Sequence, residues 1–368
     1  MKTSQQRSMA SIGAILIFCA AAFWSSIGSD SRSRATENNR QNGAAGTGAA
    51  AAAGGGPQSD LLLVFAGDIM LADGPGKAMA KGVDPFAEFA EIFKGADCNI
   101  GNLECVIATG GSPIKKPWVF RADPKVLPVL TRHINVVSLA NNHTGDFGHS
   151  AFLEQLDLLE KQKLPYFGGG RNCAHARTPH ILEIKGVRIA LLGYNEFKPR
   201  IFEAGPNWPG TAWGVDEQVV ADIQAARTIS KADLVIPFLH WGSEYDPATD
   251  RQKQFARLMI DAGADIVVGG HPHVTQATEY YKGKLIVHSI GNFVFDGFEE
   301  GPGRIGWLLR LRLNKQGLVA WDTVVAHMDG EGIPHLMQET PSPSGTAANE
   351  TVDDRRALVD SPLTSFRK

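Results

Sequence analysis

At 368 residues the chain is long enough for one large domain or two of ordinary size, and its hydrophobic (43%) and charged (20%) fractions are those of a globular protein. A formal net charge of −3 gives no basis for nucleic acid as a partner, nor for a basic surface against anionic lipid. No CxxC pair or Cys/His cluster suggests structural zinc.

Residues 1–8 carry Lys2 and Arg7 without an acidic residue, and an apolar run follows from Ala10 to Trp24. A basic stretch followed by a hydrophobic one is the layout of an export signal. The run, about 15 to 18 residues, is at the short edge of a spanning helix. Phe23-Trp24 interrupts any small-x-small cleavage site. The expectation for 1–28 is an uncleaved signal anchor with its basic end inside the cell, cleavage being the alternative. Residues 29–59 are rich in Gly, Ala, Ser and Asn and nearly devoid of large apolar side chains. Such a stretch cannot bury enough surface to offset its ordering entropy and reads as a flexible linker. The tail, 337–368, reads as disordered for the same reason, which leaves 60–336 as the folded domain.

Within that domain LLLVFAG (61–67) is a buried strand candidate ending in Gly. Residues 84–95 carry apolar spacing near 3.6 and predict a helix, and ADCNIGNLE (96–104) returns to strand. A helix over 124–132 precedes the strand INVVSLANN (134–142), and HSAFLEQLDLLEKQ (149–162) is an amphipathic helix before a short strand at PYFGG. A hairpin turning at Lys185-Gly186 covers 180–194, and 215–230 is helical. Strand DLVIPFLHW (233–241), helix 251–263 and strand DIVVGGH (265–271) follow, then hairpins over 278–293 and 304–328. Cys98 and Cys105 flank one strand; seven residues of strand span roughly 23 Å against the ~6 Å of a disulfide, so they are expected as free thiols. Alternating strands and helices with inserted hairpins predict an α/β layered fold with mixed sheets, in which ligands bind beyond the carboxyl ends of strands.

Polar residues recur at those ends: Asp68, Glu104, Asn142-His143, His240, then His271 and His273. Any one alone is more simply a turn or cap residue. Five buried strands ending this way point to a shared site. Carboxylate and amide oxygens mixed with imidazole nitrogens suit a first-row divalent ion such as zinc, manganese or iron. Two such ions about 3.5–4 Å apart would clamp a phosphoryl group and a nucleophilic hydroxide. Arg121 is a candidate contact for an anionic substrate. Asp146 and Glu244 are candidates to orient ligating histidines, and Trp241 reads as a packing residue.

FAGDIML, GNLE, ANNHTGDFG, HWGSEY, GGHPHV and HSIGNFVFD, in this order over about 61–296, resemble the successive motifs of the CapA family. These are bacterial capsule (poly-γ-glutamate) synthesis proteins within the calcineurin-like metallophosphoesterase superfamily. The resemblance implies a four-layer αββα sandwich with two mixed sheets. It implies Asp68, Glu104, Asn142, His240, His271 and His273 as metal ligands, with Glu104 the bridging carboxylate. It implies His143 as the general acid that protonates the leaving group, and puts Asn292 near the substrate. The superfamily's first motif is Asp-x-His, whereas Asp68-Ile69-Met70 puts a thioether where the histidine ligand belongs, a poor donor for hard or borderline ions.

The resulting expectation is a single-pass protein of the bacterial cell membrane with its globular domain outside the cytoplasm, secreted or periplasmic if the signal is cut. It would act in capsule polymer biosynthesis or export through a metal-dependent hydrolase-type site, beside other membrane subunits of a polymer synthase. The alternatives are an extracytoplasmic phosphoesterase with no capsule role and a non-catalytic subunit of such a synthase.

Overall fold

The computed structural model describes residues 60–337 and 343–346. The expected anchor or signal (1–28), the linker (29–59) and most of the tail lie outside the described residues.

Strand β1 (Leu61–Ile69) sets the plan. Successive strand side chains face opposite ways. Leu61, Leu63 and Phe65 therefore enter one core, and Val64 and Ala66 another on the far face. A strand buried on both faces reads as an unbroken apolar run. Beside it lie β2 (Cys98–Leu103), β3 (Val136–Ser138) and β4 (Tyr166–Phe167), all parallel. The chain then builds a second sheet from β5 (His180–Ile184), β6 (Val187–Asn195), β7 (Leu234–His240), β8 (Ile266–Gly270), β9 (Thr278–Tyr281) and β10 (Lys284–Val287). It returns to the first sheet with β11 (Asn292–Val294), β12 (Ile305–Asn314), β13 (Gly317–Met328) and β14 (Pro334–Leu336). The orders are β14-β13-β12-β1-β2-β3-β4, with β11 also on β1, and β9-β10-β8-β7-β6-β5; both sheets are mixed. Within the stretch expected as a disordered tail, Ser344–Thr346 forms β15, antiparallel to β13.

Helices cover the outer faces. α1 (Asp73–Ala80), α2 (Ala90–Lys94), α3 (Leu127–His133) and α4 (Gly148–Lys161) lie with the first sheet; Phe93, Leu130, Phe152 and Leu156 join its outer core. After the short α5 (Cys173–Arg177), α6 (Asp216–Thr228) and α7 (Asp250–Ala262) cover the second sheet through Val219, Ile223, Phe255 and Met259. Leu61, Leu63 and Phe65 meet Ile189, Ile236, Phe238 and Val268 between the sheets. The layers run helix, sheet, sheet, helix, the αββα sandwich expected.

Local expectations differ in places. The hairpin expected over 278–293 ends at Val287, and Asn292–Val294 crosses to pair with β1 in the other sheet. The helix over 84–95 is a 3-10 turn (Ala87–Phe89) running into α2. α1 was not legible, because DGPGKAMA is rich in Gly and Pro. Its first turn is fixed by Asp296, whose Oδ2 accepts from the Gly74 N–H at 2.7 Å. Cys98 and Cys105 are buried free thiols, as expected, with burial pushing both up to about 12. Among the described residues no helix is long and apolar enough to cross a membrane.

β1 runs parallel to both β2 and β11, and the crossing is tight beside Asp68. A Cβ on Gly67 would lie 2.0 Å from the Gly291 carbonyl oxygen. Gly67→Ala is expected to cost about 3 kcal/mol of stability through this overpacking, measured by chemical denaturation; a loss under a few tenths would mean that the crossing is not close.

Candidate metal centre

The strand ends converge as the fold requires. β1, β2 and β3 in one sheet, and β7 and β8 in the other, run parallel and deliver Asp68, Glu104, Asn142, His240 and His271 to one end of the sandwich. Asp68, Glu104, His240, His271 and His273 are all buried.

The donors fall into two groups that share Glu104. Around the His240 Nε2 lie Asn142 Oδ1 at 2.8 Å, His271 Nδ1 at 3.1 Å and Glu104 Oε1 at 3.3 Å. On the other side His273 Nδ1 is 3.5 Å from Asp68 Oδ2. Glu104 is within reach of His271 and His273 in one triad, and of Asp68 and His240 in the other. Atoms bonded to one ion at about 2.0–2.2 Å lie roughly 3.0–3.5 Å apart at tetrahedral to octahedral angles. The observed spacings are of that size.

Electrostatics point the same way. Neither Glu104 oxygen receives a hydrogen bond although both are buried, and His271 Nε2 is likewise without a partner. Buried carboxylates without donors are costly unless a cation meets them. Burial, then the charge of Asp68, pushes Glu104 well above the usual carboxylate range. Burial pushes His240 down to about 3 and His271 well below the ordinary imidazole value, leaving both neutral with lone pairs to offer. For His273 burial acts downward, but Glu104 and Asp68 outweigh it and raise the group. The donor set fits a pair of divalent cations: Asn142, His240 and His271 would hold one, Asp68 and His273 the other, with Glu104 between them.

The turn carrying the paired histidines is strained. His271 and His273 have φ of 92° and 57°, left-handed conformations that side chains other than Gly adopt at a cost of about 1–3 kcal/mol each. The His271 N–H donates to Asp68 Oδ2 at 3.2 Å, and the preceding Gly270 leaves room for that carboxylate, since a Cβ there would sit 2.8 Å from Asp68 Oδ1.

His143 stands beside the cluster. Its Nδ1 is 2.7 Å from Asp146 Oδ2, so the carboxylate holds the Nδ1–H tautomer and leaves Nε2 for chemistry. Burial pushes the imidazole down to about 4, against the opposing pull of Asp146. Phe120 lies against the ring, 4.4 Å between centroids. Asn292 is brought in beside His273, with Oδ1 2.8 Å from Nδ1. Arg121 is exposed: its guanidinium donates to Gly110 O and lies over Phe147, so its contacts are with the rim loop. Glu244 is exposed near the cluster, and Trp241 is buried, donating to His288 O. Met70 lies in the core, where its sulfur accepts the Ala72 N–H at 3.1 Å.

A family model described as bacterial capsule synthesis protein PGA_cap matches residues 62–297. The chain belongs to that family. It is 35% identical over 246 residues to the PGA biosynthesis protein CapA of Bacillus subtilis, covering 63% of this chain and 62% of that one. It is 30% identical over 291 residues to the capsule biosynthesis protein CapA of Bacillus anthracis, covering 74% and 69%. The chain thus spans about two thirds of the length of the CapA proteins it matches. Among solved structures, the Haemophilus influenzae NAD nucleotidase overlays with a TM-score of 0.46 at 11% identity, over 76% of this chain and 60% of that one. At that score the overlay adds nothing to the architecture described above.

Three residues of this PGA_cap site escaped the sequence reading. Asn102 donates to Asp68 Oδ1 at 2.8 Å and lies 3.2 Å from His240 Nδ1. It shares a strand face with Glu104 two residues on, a signal that period two carries. Asn141 donates to Asn102 Oδ1 and accepts the His143 N–H, joining the Asp68 carboxylate to the backbone of His143. Lys116 had no signal. It arrives on the 109–119 loop and ties two groups, Asp146 Oδ1 at 2.7 Å and Asn142 O at 2.9 Å, with its ammonium 3.2 Å from His143 Nδ1, whose proton is held by Asp146. Lys116→Met leaves the fully buried Asp146 without its cation and should cost about 3 kcal/mol, read by chemical denaturation. Adding Asp146→Asn should recover most of the loss; simple additivity of the two would show that they are uncoupled.

Proposed function

We propose that this member of the PGA_cap family works in capsule polymer (poly-γ-glutamate) biosynthesis or export, through a metal-dependent hydrolase-type site. The observation that carries the reading is Glu104, buried, without a hydrogen-bond donor on either oxygen, and shared by two donor triads. Membership of the family and the names of its Bacillus relatives support the capsule role. The basic and then apolar N-terminus supports a membrane-anchored, single-pass arrangement with the domain outside the cytoplasm, where other membrane subunits of a polymer synthase would be its partners. The identity of the ion, among zinc, manganese and iron, is left to elemental analysis.

A bound divalent pair supplies Lewis-acid polarisation of the substrate and a water of lowered pKa. The chain's own residues supply the rest. To protonate the leaving group from Nε2, His143 would first take up a proton from solvent; Asp146, on Nδ1, favours that imidazolium against the pull of burial and holds the ring throughout. Lys116 keeps Asp146 charge-balanced, and so holds the loop against the site. Phe120 and Phe197, against His143 and His271, restrict water.

Full-length protein should contain metal that a chelator removes, with a fall in thermal stability, since an ion bound only to the folded state stabilises it. His240→Ala should bind less metal than wild type and lose part of the chelator response. His143→Ala should keep its metal while phosphodiester and phosphomonoester turnover falls by about 10²–10⁴. In a deletion strain, failure of His143→Ala to restore capsule polymer would support catalysis. Full restoration would leave a non-catalytic role, and absence of metal from the wild type would end the metal reading.

A further inference from the structure

We infer that Asn292 supplies the amide oxygen that completes the Asp68–Glu104–His273 position, the donor that Met70 does not provide. The inference rests on the metal reading above and goes past it, assigning Asn292 as a ligand rather than a substrate contact.

Three observations converge. First, Asn292 is the register partner of Asp68 across the parallel pair β1 and β11, so the two side chains leave the sheet on the same face. Asp68 has Asn102 as its partner on the opposite side, across β2. Of these two flanking amides, Asn102 turns its nitrogen to the carboxylate and so serves it as a donor. Asn292 is turned the other way.

Second, that orientation is fixed by its own hydrogen bonds. Nδ2 donates to the Gly303 carbonyl at 2.8 Å and lies 3.4 Å from the His273 carbonyl. Oδ1 is therefore the atom that faces the cluster. It lies 2.8 Å from His273 Nδ1, which in turn is 3.5 Å from Asp68 Oδ2. These are the separations of atoms that share one ion at about 2.0–2.2 Å. Asn292 is fully buried, so its oxygen has no bulk water to meet.

Third, the position is otherwise short of donors. The Met70 sulfur is turned into the core and occupied by the Ala72 N–H. That leaves Asp68 and His273, 3.5 Å apart, with Glu104, both of whose oxygens lack a hydrogen-bond donor. An amide oxygen is a fitting fourth donor, since carbonyl oxygen suits manganese and is tolerated by zinc beside carboxylate and imidazole. The competing role is indirect: Asn292 could hold an Nδ1–H of His273 while Nε2 ligates.

The experiment uses the full-length protein and Mn²⁺. Wild type should bind two Mn²⁺ per chain by equilibrium dialysis, with the spin-coupled electron paramagnetic resonance signal of a close pair. Asn292→Ala should retain one, show the six-line signal of an isolated ion, and take the second at least about tenfold more weakly. Asn292→Asp, which keeps an oxygen at that place, should hold both. In wild-type crystals soaked in Mn²⁺, anomalous scattering should put an ion within about 2.3 Å of Asn292 Oδ1; this needs no variant to fold. An ion bound to His273 Nε2, with Asn292 still on Nδ1, would overturn the assignment. So would an Asn292→Ala protein that binds two ions with wild-type affinity. Wild type that binds no Mn²⁺ and no other divalent ion would instead bring down the metal reading on which the assignment stands.

Discussion

Two carboxylates, Asp68 and Glu104, are buried at the ends of adjacent strands, and their mutual charge is the constraint around which the site is built. Isolated buried charges cost several kcal/mol each unless paired or metal-bound. Asp68 is served by Asn102, by the His271 backbone and by His273. Glu104 has no hydrogen-bond donor at all. Its neighbours, His240 and His271, are held neutral by burial and so do not balance its charge.

The sandwich makes that charge concentration tolerable. Apolar residues on both faces of β1, and between the sheets, hold the strands to fixed positions, so the polar side chains beyond their carboxyl ends have little freedom to relax. Strain is stored where it serves orientation, in the left-handed His271 and His273. Close approach is allowed where a side chain would block it, at Gly67 and Gly270.

The His143 side of the site is tied to the strand-end cluster by buried polar contacts. Asn102 and Asn141 run from Asp68 to the His143 backbone, and Lys116 joins Asp146 to the carbonyl of Asn142. Such networks specify a unique arrangement when every member is satisfied. The loop carrying Lys116 is also held by its own ends: Glu154 accepts from Thr109 and Gly110, and Asp146 accepts from Phe120 and, through its carbonyl, from Ile114. Loop order and the orientation of His143 are thus one structural unit.

Much of this was legible in the chain itself. Apolar runs ending in Asp68, Glu104, Asn142, His240 and His271 mark strands and their carboxyl ends, because a buried parallel strand needs an unbroken apolar run and its polar residue appears where the sheet stops. The hairpin at Lys185-Gly186 was readable from turn residues that tolerate positive φ. What only the tertiary structure decided depends on contacts between residues far apart in sequence. α1 begins where Asp296, 222 residues away, accepts the Gly74 N–H. Lys116 enters the site on a loop with no periodicity to read, and Arg121, plausible by charge, is turned to the rim. The direction in which Asn292 turns its amide depends on the Gly303 carbonyl. Local pattern determines which residues a strand carries to its end; the packing of distant segments determines which of their atoms face one another.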